Sequence, residues 1–303
     1  MASPRRPTVL ITGASQGGAG HALALEFASK GMQVFATARS IESLAGLEEK
    51  GIEVLTLDVT SSASIASLKD EITRRTSGIL DFLFNNAGSL YEAPAIEADP
   101  VRVRAMFDAN VFGLFDMVSE FTPLLLAAVS DSNHPPTIIN TASVLARVPY
   151  PFSSAYNASK AAVAMYSDTL RLELAPLGIK VVTLYMGVVS TRLSSAENVQ
   201  FGPNSIYIDA EPGVKHRSKQ YQAQGMKPAD FARQVVDELV VKKRGPSKGE
   251  YLWKGANAGL VWFLNAVGWH KIFDSISESG VNLESDVKKS IAEKGRAIAK
   301  KKV

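Results

Sequence analysis

Short runs of apolar and β-branched residues recur along the chain, and each is followed by a longer segment whose apolar positions repeat with helical spacing. A continuous apolar run predicts a strand buried on both faces, as in a parallel sheet covered by helices. The predicted strands are Thr8 to Thr12, Gln33 to Ala38, Ile52 to Val59, Asp81 to Phe84, Thr137 to Asn140, Ile179 to Leu184 and Glu250 to Trp253. The predicted helices are His21 to Lys30, Ser64 to Arg75, Val101 to Ala128, Ala155 to Leu174 and Asp230 to Lys242. This alternation predicts an α/β fold, a single-domain Rossmann-type doubly wound parallel sheet flanked by helices.

Two stretches depart from this regular alternation. The long helical segment Val101 to Ala128 contains Asn110, Gly113 and Pro123, so we expect a kink or break within it. The segment Arg192 to Met226 is rich in Ser, Gly, Pro and Asn and follows the sixth predicted strand. Long loops at the carboxyl edge of such a sheet usually cover a ligand, so this segment predicts a lid loop at about residues 192–226.

The chain beyond the last predicted strand is first apolar and then basic. Residues Ala256 to Trp269 are apolar and aromatic but too short to span a bilayer, so a core segment, a subunit contact and a membrane-surface element are all open. From Lys288 to Val303 seven basic residues stand against one acidic residue, which either a solvated terminal helix or an anionic partner explains. We therefore predict a body over residues 1–255 and a helical carboxyl-terminal extension over residues 256–303.

Composition narrows the classes of function. The 303 residues are 46% hydrophobic and include no cysteine, so one large core is expected, without disulfides, thiolate nucleophiles or Cys-based zinc sites. The net charge is +3 with both signs interspersed, so neither a nucleic-acid partner nor a metal site is predicted. Residues 1–7 lack the apolar core of a signal peptide, and no apolar run of about 18 residues occurs. We expect an intracellular protein without a conventional membrane span.

A glycine-rich turn, Thr12-Gly13-Ala14-Ser15-Gln16-Gly17-Gly18-Ala19-Gly20, joins the first predicted strand to the first predicted helix. Gly13 suits a tight turn, and Gly20 would let the helix pack closely. Either Gly17 or Gly18 would allow close approach of a ligand to the backbone. The helix amino terminus would then face a pyrophosphate with free N–H groups and a positive dipole end. The turn favours a dinucleotide site, with a purely structural turn as the alternative.

Polar residues end three further predicted strands. Arg39 ends the second strand, where an NAD enzyme would carry a carboxylate for the ribose 2′-hydroxyl. A guanidinium suits a 2′-phosphate instead, so NADPH or NADP+ is the favoured cofactor, with an exposed strand-end arginine as the alternative. Asp58 ends the third strand and would reach an adenine edge or cap its own turn. Asn86 and Ala87 end the fourth strand and would line the cofactor cleft.

Tyr156 and Lys160 stand four residues apart in Tyr156-Asn157-Ala158-Ser159-Lys160, downstream of Ser143. Residues i and i+4 share a helix face, so the ammonium group can lie beneath the phenol ring. A free phenol has a pKa of about 10, and a neighbouring cation favours the phenolate. We therefore predict that Lys160 lowers the pKa of Tyr156 toward the working pH. The spacing alone also fits an ordinary amphipathic helix surface, but with the glycine turn it indicates a proton donor.

The ordered motifs over about residues 8–255 resemble those of the short-chain dehydrogenase/reductase family. The residues that match the family's catalytic pattern are Asn110, Ser143, Tyr156 and Lys160. The resemblance implies that Tyr156 donates a proton and Ser143 orients the substrate carbonyl while a hydride arrives from the nicotinamide. It also implies that Lys160 binds the nicotinamide ribose and lowers the pKa of Tyr156, and that Asn110 holds a water that relays protons to Lys160.

The resemblance extends to the cofactor site, with two departures from the family pattern. The residues at cofactor positions are Ile11, Gly13, Ser15, Gly17, Gly18, Gly20, Thr37, Arg39, Asp58, Asn86, Ala87, Tyr156, Lys160, Val189 and Thr191. The glycine turn is one residue longer than the usual Thr-Gly-x-x-x-Gly-x-Gly, so which middle glycine meets the phosphate is open. Met186-Gly187 replaces the usual Pro-Gly, which loosens the turn before Val189 and Thr191, the positions that bind the nicotinamide carboxamide.

The extended glycine turn, the strand end at Arg39 and the apolar segment after Trp253 resemble fungal NADPH-dependent 1-acyldihydroxyacetone-phosphate reductases, a branch that includes enzymes of secondary metabolism. This implies a carbonyl reductase for a hydrophobic substrate, either an acyl-dihydroxyacetone-phosphate-like lipid or a polyketide or aromatic ketone. A non-catalytic NADP-binding protein at a membrane surface is the alternative. The family also implies a homodimer or homotetramer. A cytoplasmic protein is expected, at the endoplasmic-reticulum or lipid-droplet surface if the carboxyl-terminal Lys300 to Val303 acts as a dilysine signal.

Overall fold

The computed structural model describes residues 5–130, 134–241, 250–269 and 271–301, and within these ranges seven parallel strands form one sheet. The strands are β1 (Thr8–Ile11), β2 (Gln33–Ala38), β3 (Glu53–Thr56), β4 (Phe82–Asn85), β5 (Thr137–Ser143), β6 (Lys180–Met186) and β7 (Glu250–Lys254). Their order across the sheet is β3-β2-β1-β4-β5-β6-β7, and every pairing is parallel. The predicted α/β class and doubly wound sheet are confirmed.

Helices cover both faces of this sheet. The helices in the described residues are α1 (Ala19–Ser29), α2 (Ser62–Thr76), α3 (Pro100–Phe107), α4 (Gly113–Ala128), α5 (Ser154–Leu174), α6 (Glu211–Gln224), α7 (Pro228–Val236), α8 (Ala258–Val267), α9 (Asp274–Gly280) and α10 (Ser285–Lys301), and the last three belong to the carboxyl-terminal extension. Val9 and Phe27 belong to the core on the α1 and α7 face, whereas Leu10 and Phe121 belong to the core on the α2, α4 and α5 face. Alternate strand residues therefore enter opposite cores, which explains the continuous apolar runs in the sequence.

The predicted interruption of the long helix is confirmed at Asn110. One π-helical turn, Asp108–Phe112, separates α3 from α4, while Pro123 lies inside α4. In the described part of the chain, the helix over residues 100–128 is the one stretch long and apolar enough to cross a membrane, and half of its apolar window is buried in the protein. Met117 and Phe121 lie fully inside the core, so this helix is placed as a core helix.

The predicted lid over residues 192–226 is only partly irregular. Its first half contains short 3-10 turns, but its second half is the regular helix α6. Pro212 lies in the first turn of α6, where its missing N–H needs no partner. The buried residues of α6 include Gly213 and Arg217, so the buried face is not a simple apolar stripe. The expectation of a loop was therefore wrong for residues 211–224.

The predicted carboxyl-terminal extension is helical and packs on the body of the protein. Val261 of α8 and Phe273 join a core cluster with Val144, which follows β5. Part of the basic charge of α10 is paired, because Lys294 lies 2.5 Å from a carboxylate oxygen of Asp209. The end of the predicted Asp230 to Lys242 helix, Lys242, and the last two residues of the dilysine match, 302 and 303, lie outside the described residues.

Candidate active site

A cavity of about 1110 Å³ lies at the carboxyl edge of the sheet, where the strand order reverses between β1 and β4. Its volume is above the range of about 300–1,000 Å³ that is usual for small-molecule sites, so it has room for more than one ligand. The predicted site residues that line it are Gly13, Ser15, Gly18, Arg39, Asp58, Asn86, Ala87, Ser143, Tyr156, Lys160, Val189 and Thr191. Those that do not line it are the buried Ile11, Gly20, Thr37 and Asn110 and the exposed Gly17.

The structure distinguishes Gly17 from Gly18, which the sequence left as alternatives for the glycine that a ligand approaches. Gly17 has a φ of +76°, a left-handed conformation that accommodates the extra residue of the turn. Gly18 begins α1 as its N-cap, and no side chain caps the helix there. Because Gly18 lines the cavity, it is the middle glycine that a ligand can approach, next to the uncapped helix start. Gly20 packs so closely that a Cβ atom would lie 2.4 Å from the carbonyl oxygen of Gly13.

Thr12 joins the loops that follow β1 and β4. Its hydroxyl oxygen accepts hydrogen bonds from the backbone N–H of Asn86 at 3.0 Å and of Ala87 at 2.9 Å. In return, the Asn86 amide donates to the carbonyl oxygens of Thr12 and Gly13. Thr12 was not among the predicted site residues, although its place at the start of the glycine turn was a usable signal.

Ile11 and Thr37 support the turn from below. Both are fully buried, and the Thr37 hydroxyl donates to the Ile11 carbonyl oxygen at 3.1 Å. The carbonyl oxygen of Thr37 accepts a bond from the backbone N–H of Ala14 in the glycine turn. These contacts fix the start of the turn over β2, so neither side chain faces the cavity.

Arg39 and Asp58 line the cavity beyond the carboxyl ends of β2 and β3, respectively. Arg39 is exposed and, within the described residues, has no ion-pair partner. Its charge contributes to the lowered pKa of Asp58, but the guanidinium forms no ion pair in this part of the chain and can bind an anionic group. Asp58 accepts two hydrogen bonds from Thr60, from the backbone N–H at 2.9 Å and from the hydroxyl at 2.7 Å, and these lower the pKa of Asp58. Asp58 thus caps its own turn while still lining the cavity.

Ser143, Tyr156 and Lys160 meet in the cavity, as the sequence predicted. All three side chains are buried, Ser143 at the end of β5 and the other two on α5. The ammonium nitrogen of Lys160 donates to the carbonyl oxygen of Thr141 at 2.8 Å and lies 5.9 Å from the centre of the Tyr156 ring. Ser143 lies close enough to Tyr156 to oppose the rise in its pKa. The phenol is therefore held between a hydroxyl and a buried cation.

The predicted lowering of the Tyr156 pKa is wrong for this geometry. Burial raises the pKa of Tyr156 to about 12, and the neighbouring Ser143 opposes this shift only in part. Removing a phenol from water disfavours the charged phenolate, and the Lys160 ammonium, 5.9 Å from the ring centre, does not outweigh this effect. Tyr156 consequently keeps its proton at neutral pH, which is the state required of a proton donor.

Lys160 should make the stability of the protein depend on pH. Burial lowers the pKa of Lys160 from 10.5 to about 8, so between these values the unfolded chain holds a proton that the folded chain has released. The free energy of unfolding then rises with pH in this window, by on the order of 3 kcal/mol. We expect urea denaturation of wild type and Lys160→Met, measured from pH 7 to 10.5, to show this rise only in the wild type.

A matched control for that comparison is Lys215→Met, because the Lys215 side chain is 42% exposed and pairs with Glu211 one turn away on α6. Its stability should follow the wild-type pH curve. Parallel curves for wild type and Lys160→Met would contradict the prediction, since the pH-dependent difference isolates the titration of Lys160 from any loss of packing.

Asn110 is buried in the π turn, and its amide is fully engaged. Its side-chain oxygen accepts from the Ser89 backbone N–H at 2.7 Å, and its nitrogen donates to the Ser89 carbonyl oxygen and to the Ser159 hydroxyl. Asn110 therefore ties the π turn to α5 beside Lys160. The relay role of Asn110 stays a prediction.

Several lining residues were missed by the sequence reasoning. Four of them form a polar group on the α6 side of the cavity: Glu92, Tyr150, Arg217 and Tyr221. Apolar lining residues also come from the carboxyl-terminal extension, among them Leu260 and Leu264 of α8. These residues belong to separate segments without a recognisable spacing, so only the tertiary fold brings them together.

The chain is similar to several known proteins. The model of the family described as short chain dehydrogenase matches residues 7–200. The short-chain dehydrogenase srdE of Neurospora crassa is 35% identical over 305 aligned residues, covering 100% of both chains. The NADPH-dependent 1-acyldihydroxyacetone phosphate reductase of Schizosaccharomyces pombe is 44% identical over 187 residues, which cover 62% of this chain and 61% of that protein. The crystal structure of a short chain dehydrogenase from Burkholderia cenocepacia in complex with NADP matches with a TM-score of 0.65 and 26% identity, over 87% of this chain and 94% of that one.

Proposed function

The chain belongs to the short-chain dehydrogenase family of oxidoreductases, and we propose that it is an NADPH-dependent carbonyl reductase that converts a hydrophobic ketone or aldehyde to an alcohol. One observation carries this proposal. A single cavity joins the uncapped start of α1 to the buried Ser143, Tyr156 and Lys160. A nucleotide and a carbonyl substrate could therefore occupy it together, with the phenol next to the reacting oxygen.

Each active-site residue would have its own role in the reduction. NADPH, when bound, would supply the hydride. Tyr156 would donate its phenolic proton to the carbonyl oxygen, and its raised pKa keeps that proton in place until negative charge develops on the oxygen. Ser143 would donate a hydrogen bond to the same oxygen, and Lys160 would stabilise the tyrosinate through its positive charge. Asn110 would complete the site by holding the water that returns a proton toward Lys160.

Three observations support a nicotinamide dinucleotide as the cofactor, and the first and third favour NADPH. The unpaired Arg39 lies where a 2′-phosphate would need a cation, and the chain has no carboxylate at that strand end. Gly18 exposes the uncapped helix start to the cavity, which suits the pyrophosphate. The names of the reductase from Schizosaccharomyces pombe and of the structure from Burkholderia cenocepacia include NADPH and NADP, respectively.

The cavity lining supports a hydrophobic substrate. Leu145, Val148, Val261 and Phe273 contribute apolar side chains to it. Two substrate classes fit: an acyl-dihydroxyacetone-phosphate-like lipid, supported by the similarity to the Schizosaccharomyces pombe reductase, and a polyketide or aromatic ketone, favoured by the polar group at Arg217. The buried catalytic set argues against a non-catalytic nucleotide-binding protein.

The first experiment is a fluorescence titration of the purified protein with NADPH and NADH, followed by absorbance at about 340 nm with acyl-dihydroxyacetone-phosphate and a panel of hydrophobic ketones. Oxidation of NADPH by the lipid would support the first substrate class, and turnover confined to aromatic or polyketide ketones would support the second. Tight NADPH binding with no turnover of any carbonyl would instead support the non-catalytic alternative.

We also propose that the protein forms a homodimer or homotetramer through α4 and α5. Met165 and Leu172 of α5 are more than half exposed, and so is Phe112 beside α4. Burial of these side chains in a subunit contact would be favourable. We expect light scattering after size exclusion to give at least twice the monomer mass, and Met165→Glu/Leu172→Glu to give a monomer. The exposed Ile96, changed to Glu, should keep the assembly intact, and a monomeric wild type would disprove the proposal.

A further proposal concerns the exposed aromatic face of the carboxyl-terminal extension, formed by Trp262, Phe263 and Trp269. Each of these side chains is more than half exposed. We propose that this face contacts a lipid surface, on the cytoplasmic side of the endoplasmic reticulum or a lipid droplet. We expect cosedimentation with phosphatidylserine-containing vesicles that Trp262→Ser/Phe263→Ser abolishes and Val101→Ser retains. Equal binding by both variants would exclude this face as the contact.

A further inference from the structure

A polar group interrupts the apolar side of the cavity. Arg217 and Tyr221 come from α6, Tyr150 precedes α5, and Glu92 follows β4. All four line the same cavity as Tyr156. Arg217 and Glu92 are almost completely buried, with side-chain exposures of 5% and 3%, so the group is an internal part of the site.

The members of the group hold one another in place. A terminal nitrogen of Arg217 donates to one carboxylate oxygen of Glu92 at 2.5 Å, and the hydroxyl of Ser153 donates to the other oxygen at 2.5 Å. The guanidinium lies 5.2 Å from the ring centre of Tyr150 and 5.5 Å from that of Tyr221. The two phenol oxygens are 3.1 Å apart. The orientation of the guanidinium is therefore fixed before any substrate enters.

Two hydrogen-bond donors of this group have no acceptor in the described residues. The Nε atom of Arg217 is buried and has no acceptor within the described residues. Of the two phenols, one donates to the other, which leaves one hydroxyl proton for a further acceptor. Buried donors without an acceptor are unfavourable, and native proteins rarely keep them without a reason. An oxygen atom of a ligand in the cavity would accept the remaining phenol proton of the tyrosine pair.

The charge of the group selects the kind of oxygen. Glu92 balances the charge of Arg217, so the pair is neutral overall. A phosphate dianion would have to approach the buried carboxylate of Glu92, and repulsion between like charges is strong where water is excluded. A hydroxyl, phenol or carbonyl oxygen meets no such repulsion and accepts hydrogen bonds equally well.

The group lies close to the proposed reacting centre. Ser153, which binds Glu92, stands three residues before Tyr156, about one helical turn away. We propose that Arg217, Tyr150 and Tyr221 form a subsite for an uncharged oxygen of the substrate whose ketone is reduced beside Tyr156. This inference rests on the proposed reductase function and narrows its substrate to oxygenated neutral ketones, such as hydroxylated aromatic or polyketide ketones.

The test uses a matched pair of ketones, 1-tetralone and its ring-hydroxylated derivative 6-hydroxy-1-tetralone. With the wild type and NADPH, we expect kcat/KM for the hydroxylated ketone to exceed that for the parent ketone by about tenfold or more. The variant is Glu92→Gln/Arg217→Met, which removes both charges together and so leaves no unpaired buried ion. We expect the ratio of the two kcat/KM values to fall close to one in this variant.

The matched control is Glu211→Gln/Lys215→Met, the same chemical change in an ion pair of α6 that lies outside the cavity lining. It should keep the wild-type ratio. Calorimetric binding of the two corresponding alcohols to the NADP+ complex gives the same comparison without turnover. A wild type that reduces both ketones equally, or a ratio that survives in Glu92→Gln/Arg217→Met, would overturn the subsite while leaving the reductase function intact. A preference for a phosphate-bearing ketone that this variant loses would overturn it as well, because the group would then bind anions.

Discussion

Tyr156→Phe is expected to lower kcat by about 10³-fold or more while the dissociation constant of NADPH changes by less than about threefold. The substitution removes only the hydroxyl, and general acid catalysis of this kind contributes about 10²- to 10⁴-fold. The burial that raises the pKa of Tyr156 to about 12 also excludes water that could replace the lost proton donor. The measurement is steady-state oxidation of NADPH with the best ketone of the panel, together with a fluorescence titration of NADPH.

Tyr166→Phe is the matched control for this experiment. Tyr166 lies on the same helix, and burial raises its pKa to about 12 as well, but its ring stacks on Phe115 at 3.9 Å, outside the cavity lining. Its loss should leave kcat within about twofold of the wild type. If Tyr156→Phe turned over ketones at the wild-type rate, Tyr156 could not be the acid, and the proposed chemistry would fail at its central residue.

The strands could be predicted from the sequence because their residues enter a core on both sides. Val9, Leu10 and Ile11 are all fully buried, although Leu10 belongs to a different core cluster from the other two. Such a strand reads as an uninterrupted apolar run, which has few alternative structures. The residues that end these strands, such as Arg39 and Asn86, then fall at one edge by topology alone. The position of the cavity was therefore implicit in the strand pattern.

Helix α6 shows why part of the site was not predictable. Its buried residues are Gly213, Val214, Arg217 and Ser218. Helical periodicity is recognised by apolar side chains, and here most of the buried face is small or charged. Gly213 is needed for packing, because a Cβ atom would lie 2.3 Å from the carbonyl oxygen of Val281, and Arg217 is buried because Glu92 pairs with it. Both reasons depend on residues far away in the sequence.

The direction of the Tyr156 pKa shift could not be predicted from the sequence either. The spacing of Tyr156 and Lys160 correctly placed the ammonium beneath the ring, but the direction of the Tyr156 pKa depends on burial, which spacing does not give. Likewise, the two candidate glycines, Gly17 and Gly18, have the same side chain, and only backbone conformation distinguishes them. Gly17 takes the left-handed conformation, and Gly18 caps the helix at the cavity.

Arg39→Asp is expected to weaken NADPH binding by about 100-fold and to change NADH binding by less than about threefold. A charge-assisted hydrogen bond to a phosphate contributes about tenfold to 100-fold in affinity, and an introduced carboxylate adds repulsion at the same place. Arg39 forms no ion pair within the described residues, and its charge is only the smallest cause of the lowered pKa of Asp58, so its removal leaves no buried carboxylate unpaired. Fluorescence titrations with both cofactors give the ratio of dissociation constants directly.

The preference of the wild type for NADPH over NADH, measured as that ratio, should also shrink as salt is added, because Arg39 is exposed and its charge is screened.

Arg104→Asp separates this local effect from a change in overall charge. Arg104 is exposed on α3 and lies outside the cavity lining, so its reversal changes the net charge by the same amount without reaching the cofactor. Both dissociation constants should then shift slightly and together. An equal loss of NADPH and NADH affinity in Arg39→Asp would mean that Arg39 acts on a part shared by both cofactors, and the preference for NADPH would need another source. A selective loss of NADPH would instead place the 2′-phosphate at the end of β2, because the extra phosphate is the only difference between the two cofactors.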